Sequence, residues 1–234
     1  MTEPTPAQEA ATLHRHLCDM LSSCGVRQPI ALDLCCGKGG WARGLILEEF
    51  CVIGVDIIDQ PDYPGHFIQG DVCLLLGGWL RGRVRLIVAS PPCEEFSRHD
   101  MPWTRKRNPP PPDLSIAESV KRISEASGAP TVVENTRGSK KFLEPLLGPA
   151  RRCGSFYLYG DVPVLLPKMY PGRSGRGVPD REAARRKHCR YDDGRPLRER
   201  RPGEQNSKER REAAGGRAVV PLELARAIGA AYIS

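Results

Sequence analysis

No run in the chain approaches the roughly 18 consecutive apolar residues that a membrane-spanning helix needs, so a membrane protein of that kind is not expected. The opening residues, MTEPTPAQEAATLHRHL, have no basic segment leading into an apolar one, which points to an intracellular, cytoplasmic chain. There is no CxxC pair, and His14, His16, His66, His99 and His188 stand at no zinc-ligand spacing from the cysteines, so no structural metal is expected. The 9 cysteines are odd in number and most lie in or beside apolar runs, where cysteine acts as a small hydrophobe. A disulfide framework is therefore not expected either. Gly37-Lys38 is followed by Gly39 rather than Ser or Thr, which excludes a phosphate-binding P-loop, and the G-x-G-G spacing is a poor dinucleotide fingerprint.

What the chain does hold is enough for one domain with an appendage: 234 residues and 25.8 kDa. Its net charge of +7 is uneven. Residues 172–217 carry 15 Lys and Arg against 8 Asp and Glu, while the remainder balances at 20 against 20. That segment has only Val178, Tyr191 and Leu197 as large apolar residues, too few to offset the entropy of ordering it alone. It reads as a basic arm suited to phosphate contacts, or as a solvated insert.

Periodicity predicts helix over 7–24, strand over 29–34, helix over 41–50 and strand over 51–55. Short strands at 66–69, 84–89 and 131–133 follow, with a helix at 115–127 that has Ser115 and Glu118 at capping-box spacing. A last helix runs over 222–233, with Pro221 at its start. This alternation predicts an α/β fold: an open, mostly parallel sheet with helices on both faces and ligands beyond the C-terminal strand ends.

Three features carry chemistry. The turn Asp33-Leu-Cys-Cys-Gly-Lys-Gly-Gly40 lets a ligand approach the backbone, and Asp56, 23 residues on from Asp33, ends the next strand where it can hold a ribose diol. Asp71, past the third strand, is placed for an adenine amino group. Ser90-Pro-Pro-Cys93 directly follows a buried strand, and the Pro-Pro pair presents a thiol at the sheet's rim. Carbon 5 of a pyrimidine is a poor nucleophile, and a thiolate that adds at C6 turns the ring into an enamine-like one. One strand later, Glu134 of Val133-Glu134-Asn135 could bond the ring N3 and supply a proton as the thiolate adds.

These residues resemble the DNA cytosine-5 methyltransferase family, especially its short phage-type members. DLCCGKGGWARGL, VIGVDI, QGDV, SPPCEEFS and VVENTRG are similar to its motifs in order and spacing, and CGSFYLYG and AVVPLELARAIGAAYI to its later ones. The likeness covers residues 30–160 and 217–233. It implies a Rossmann-like methyltransferase fold with S-adenosyl-L-methionine as cofactor and DNA as partner, acting as a monomer without membrane attachment. It implies Cys93 as nucleophile, Glu134 as N3 partner, Asn135 as a positioning residue and Arg137 at the base or a phosphate. For the cofactor it implies Asp33, Leu34, Cys35, Gly37, Gly39 and Trp41 from the first turn. Asp56 and Ile57 would follow from the second strand, Asp71 and Val72 from the third, and Pro91 from the Pro-Pro segment. Cys35 stands where the family has Phe or Tyr, which leaves the adenosyl group less stacked unless Trp41 compensates. Asp161-Val-Pro-Val stands where it has two arginines.

The expected organisation is a catalytic domain at 1–171, the basic arm at 172–217 in place of a target-recognition domain, and a C-terminal helix at 218–234 packing back on the first. Two other readings stay open: the same C5 chemistry on RNA or a free cytosine nucleotide, and an inactive nucleic-acid-binding homologue. Lys38 and Trp103 to Arg107 are candidate substrate contacts, with Pro109 to Pro112 as a stiff spacer.

Overall fold

A computed structural model describes residues 4–24, 28–100, 110–167 and 219–233. The first helix, α1 (Pro6–Ser23), starts at a capping box: the Thr5 hydroxyl accepts from the Gln8 amide, and the Gln8 side chain accepts from the Thr5 amide. Leu13, Leu17 and Leu21, one stripe at a spacing of four, are its buried residues. There follow β1 (Ile30–Leu34), α2 (Gly40–Leu47), β2 (Cys51–Asp56), β3 (His66–Gln69), β4 (Leu86–Ala89), α3 (Glu94–Asp100), α4 (Ser115–Ser127) and β5 (Thr131–Asn135). Next come α5 (Lys140–Leu147), the short hairpin β6 (Arg151–Cys153) and β7 (Phe156–Gly160), and α6 (Leu222–Tyr232).

The strands form one seven-stranded sheet in the order β3-β2-β1-β4-β5-β7-β6. Only β7 runs against its neighbours; the other pairs are parallel. Because successive strand residues alternate between faces, β1 sends Leu32 and Leu34 one way and Ala31 the other. The first face packs under α1, α4 and α5 through Leu17, Val120, Ile123 and Leu143. The second packs under α2 and α6 through Trp41, Leu45, Leu224 and Ile228. The expected α/β architecture, mostly parallel with helices on both faces, is the one observed.

Local chemistry departs from expectation in three places. Leu114 occupies the N-cap of α4, and the first helical amide, Ser115 N, bonds to Asp113 Oδ1 at 2.8 Å, so Ser115 and Glu118 form no capping box. β5 runs two residues further than periodicity suggested and carries Glu134 and Asn135 inside the sheet, opposite Leu158 and Tyr157. Cys24, which caps α1, and Cys51, which opens β2, are joined as a disulfide, a pairing that spacing gave no reason to expect. Among the described residues no helix is long and apolar enough to cross a membrane.

Candidate active site

Strand order reverses between β1 and β4, and in such sheets a crevice opens beyond the C-terminal ends of the two strands at the reversal. The turn after β1 lines it. Cys35, Gly37 and Gly39 all have positive φ, at 53°, 46° and 74°. For Cys35, which has a side chain, that conformation costs about 1 kcal/mol or more. A Cβ on Gly39 would sit 2.4 Å from Pro64 Cδ, so this glycine is required sterically as well. A Cβ on Gly37 would meet nothing within 4 Å: the turn's surface is open at that point. Asp56, at the end of β2, accepts from Gly37 N and Ile58 N, each at 2.9 Å, which moors the turn to the neighbouring strand. Its carboxylate oxygens keep further lone pairs for a diol.

Asp71 accepts from Cys73 N at 2.8 Å and caps the short 3-10 turn Val72–Leu74. Arg122 of α4 holds the next carbonyls, those of Cys73 and Leu75, at 2.9 and 2.8 Å. Beside Asp71 lies a cleft of about 400 Å³, walled by Ile57, Gln69 and Leu74 on the sheet side and by Gln8, Thr12 and His16 of α1 on the other. Ile57 is 65% exposed, an apolar side chain at a strand end with room for a flat ring against it. No sequence signal had placed α1 there.

Four of the residues expected at the cofactor keep their side chains out of reach. Leu34 and Val72 belong to the core under α1, which leaves only their backbone for a ligand. Asp33 is fully buried; its Oδ2 accepts from the Tyr63 hydroxyl at 3.0 Å and its Oδ1 has no hydrogen bond of ordinary geometry. Burial pushes its carboxyl well above the usual carboxylate range, the Tyr63 hydrogen bond only tempering this. Trp41 is 2% exposed and lies in the core under α6, its indole N–H donating to Ser90 Oγ at 3.0 Å. The stacking expected of Trp41 in place of Cys35 is therefore corrected: its ring faces are taken by the core.

Beyond β4, Ser90, Pro91 and Pro92 carry the chain to Cys93, whose carbonyl accepts from Ser97 N at 2.9 Å as α3 begins. Asn135, 1% exposed, donates to the buried Pro91 carbonyl at 2.9 Å and accepts from Thr136 N at 2.8 Å, tying the end of β5 to the Pro-Pro segment. The β4/β5 register pairs Ala89 with Val133, so the next residues along, Ser90 and Glu134, lie side by side. Glu134 is 9% exposed. Burial lifts its carboxyl to about 7, opposed by a hydrogen bond from the Ser90 side chain. Burial first, and then the Glu134 charge, push the half-buried Cys93 thiol up, while its own backbone amide and the Ser97 hydroxyl pull it down. Thiol and carboxyl sense each other at adjacent strand ends, and one ionises at the other's expense. Arg137 begins the 3-10 turn after β5 and is exposed.

Tyr63 and Ser90 escaped the sequence reading as site residues. Ser90 stood in plain view within SPPC, but Tyr63 is brought to Asp33 by the fold alone. Asp161, which stands where two arginines were looked for, accepts from Thr131 N at 2.9 Å and serves the sheet. Trp103 to Arg107, Pro109 and the 172–217 segment lie outside the described residues. At the other ends of the strands, Cys24, Cys51 and His66 converge with their ligand atoms within 4.8 Å, although the two sulfurs are bonded to each other.

No family model and no curated protein matches the chain. Solved structures of similar shape include a prophage-encoded E. coli protein described as a DNA modification methyltransferase, at 22% identity and a TM-score of 0.36, covering 50% of this chain and 34% of that one. The chain thus spans about a third of that protein's length. A TehB-like SAM-dependent methyltransferase from Corynebacterium glutamicum is 19% identical with a TM-score of 0.34, covering 67% and 97%. The S. pombe Dnmt2 methyltransferase is 18% identical with a TM-score of 0.33, covering 49% and 36%. Likeness this low bears on neither substrate nor reaction.

Proposed function

We propose that this chain is an S-adenosyl-L-methionine-dependent methyltransferase that transfers a methyl group to C5 of cytosine in DNA through a covalent bond between Cys93 and C6. The observation that carries the reading is the pairing of a half-buried thiol with a carboxyl lifted to about 7, at the adjacent ends of β4 and β5, one strand along from the reversal between β1 and β4. The neighbouring turn fits the cofactor: an open surface over Gly37, Asp56 and Asp71 with acceptor capacity for a diol and an amino group, and a cleft of about 400 Å³ beside an exposed Ile57. When bound, the cofactor supplies an electrophilic methyl group. Cys93, as thiolate, adds to C6 of a base taken out of the helix, and protonated Glu134 places its proton on N3. The ring's C5 becomes nucleophilic and takes the methyl group. The C5 proton then leaves to a base, the Cys93–C6 bond breaks with its electron pair going back to sulfur, and N3 returns its proton to Glu134, restoring the aromatic ring.

In this assignment residues 1–171 are the catalytic domain, 172–217 a basic arm for phosphate contacts, and 218–234 the closing helix. Arg137, exposed one turn beyond Glu134, serves the base or a phosphate. RNA or a free cytosine nucleotide is the second reading, favoured by Asp161 standing engaged with the sheet where two substrate-reaching arginines would be wanted. Duplex DNA containing 5-fluorocytosine decides between them, because fluorine cannot leave as a proton does and the adduct accumulates. With S-adenosyl-L-methionine present, a denaturing gel is expected to show a shifted band for wild type and none for Cys93→Ser. Folded wild-type protein that binds cofactor yet forms no adduct on duplex, and is competed by nucleotide or RNA, overturns the DNA assignment.

A further inference from the structure

The reading of Glu134 as the proton donor leaves open what holds that carboxyl poised near neutrality. Buried at 9% exposure with no cation bonded to it among the described contacts, a glutamate would titrate higher still if burial acted alone. Ser90 stands next to it by register, Ala89 pairing with Val133 one step earlier. On its other side Ser90 Oγ takes the indole N–H of Trp41 at 3.0 Å. Indole has a donor and no acceptor, so this contact fixes the serine oxygen as an acceptor toward Trp41 and leaves the hydroxyl proton for Glu134. A hydroxyl already accepting one hydrogen bond is a better donor for the next.

We infer that Trp41 and Ser90 are positioning residues of the active site, a donor relay Trp41 to Ser90 to Glu134 that fixes the carboxyl and sets when it holds its proton. Trp41 sits in the first turn of α2, directly after the glycine turn, so the relay links the wall of the cofactor crevice to the acid 93 residues later. It also accounts for an indole buried at a position from which it cannot stack on a ligand. Among the described residues, the other groups that sense Glu134 are the Cys93 thiol just before α3 and the Tyr159 phenol on β7, while Arg137 follows in the turn after β5; the Ser90 hydroxyl is the described group that favours the charged carboxylate by a hydrogen bond.

The inference rests on the assignment of Glu134 as acid, yet the relay can be tested without turnover. Glutamate side-chain carboxyls labelled with carbon-13 are titrated by NMR in the whole protein, the Glu134 signal being the one missing from Glu134→Gln. Ser90→Ala should move that titration up by about one pH unit, the size of a charge-assisted hydrogen bond. Trp41→Phe should move it the same way by less, and Ser90→Thr, which keeps the hydroxyl, should restore it. An unmoved titration in Ser90→Ala, in protein whose backbone spectrum is that of wild type, overturns the relay. The same shift should appear in the pH profile of methyl transfer. A wild-type protein without transferase activity would overturn the proposed function and leave the NMR result standing on its own.

Discussion

Glu134 is where burial and chemistry meet most directly. Its carboxyl titrates at about 7 in the folded chain against 4.5 as the ordinary value, so folding favours the neutral form. The stability it permits is complete below pH 4.5 and is lost as pH rises through 7, by about 3 kcal/mol in full. Glu134→Gln should therefore be more stable than wild type in urea at pH 8.5, and the gap should close at pH 4.5. Under the proposed chemistry the same group shapes the rate. In the proposed reaction the active pair is Cys93 ionised with Glu134 protonated, although the thiol titrates above the carboxyl. In that order of ionisation, kcat/KM should rise tenfold per pH unit up to about 7 and then level off until the thiol itself ionises. In Glu134→Gln the break at 7 should vanish and a much reduced rate should keep rising to the thiol's own range. A wild-type profile flat between pH 5 and 8 would remove Glu134 from the rate-determining ionisation.

At the scale of elements, the crossing of α2 and α6 decides whether the first turn is held. Gly44 lies at this crossing, where a Cβ would come 2.4 Å from Ala225 Cβ and 2.8 Å from Arg226 N, contacts with a methyl group and backbone that cannot swing aside. Arg226 and Glu48 close the same crossing with an ion pair at 2.6 Å. Helix propensity alone would make Gly44→Ala stabilising by about 1 kcal/mol. Forcing the helices apart should cost about 3 kcal/mol. A net loss of about 2 kcal/mol in urea unfolding is expected, with weaker cofactor binding because the glycine turn leads directly into α2. A stabilised Gly44→Ala would mean that α6 can slide without cost. On the opposite face, the Cys24–Cys51 bond fastens the end of α1 to β2, and the start of α1 walls the cleft beside Asp71.

Over the whole molecule, charge and core are segregated. All of the +7 resides in residues 172–217, which interrupt the chain between β7 and α6. The charge-balanced remainder gains little from phosphate, so in the proposed function residues 172–217 should carry the electrostatic part of duplex affinity. Replacing residues 172–217 with a short Gly-Ser linker should leave cofactor affinity within twofold, weaken duplex binding at low salt by at least tenfold, and flatten the dependence of log affinity on log salt. Unchanged duplex affinity at low salt would return the arm to a solvated insert.

The sequence by itself determined the order of elements, the parallel sheet and the strand ends that carry Asp56, Asp71, Cys93 and Glu134. These follow from local pattern: apolar runs long enough only for buried strands, glycines where φ must be positive, and a Pro-Pro pair that fixes the residue after it. Whether a side chain at such a strand end faces the crevice or the core is a matter of packing between segments far apart in the chain, and only the tertiary structure decided it. Trp41 reads as a ligand-stacking aromatic until Leu224 and Ile228 of α6 are seen with it in one cluster. Asp33 reads as a ligand contact until Tyr63 reaches it from 30 residues away. Ser90 gains its partners from α2 and β5, and the cleft gains a wall from α1. Residue type sets which chemistry is available; burial and neighbouring donors set the proton affinity of Glu134 and Cys93, and those come from elements that folding alone brings together.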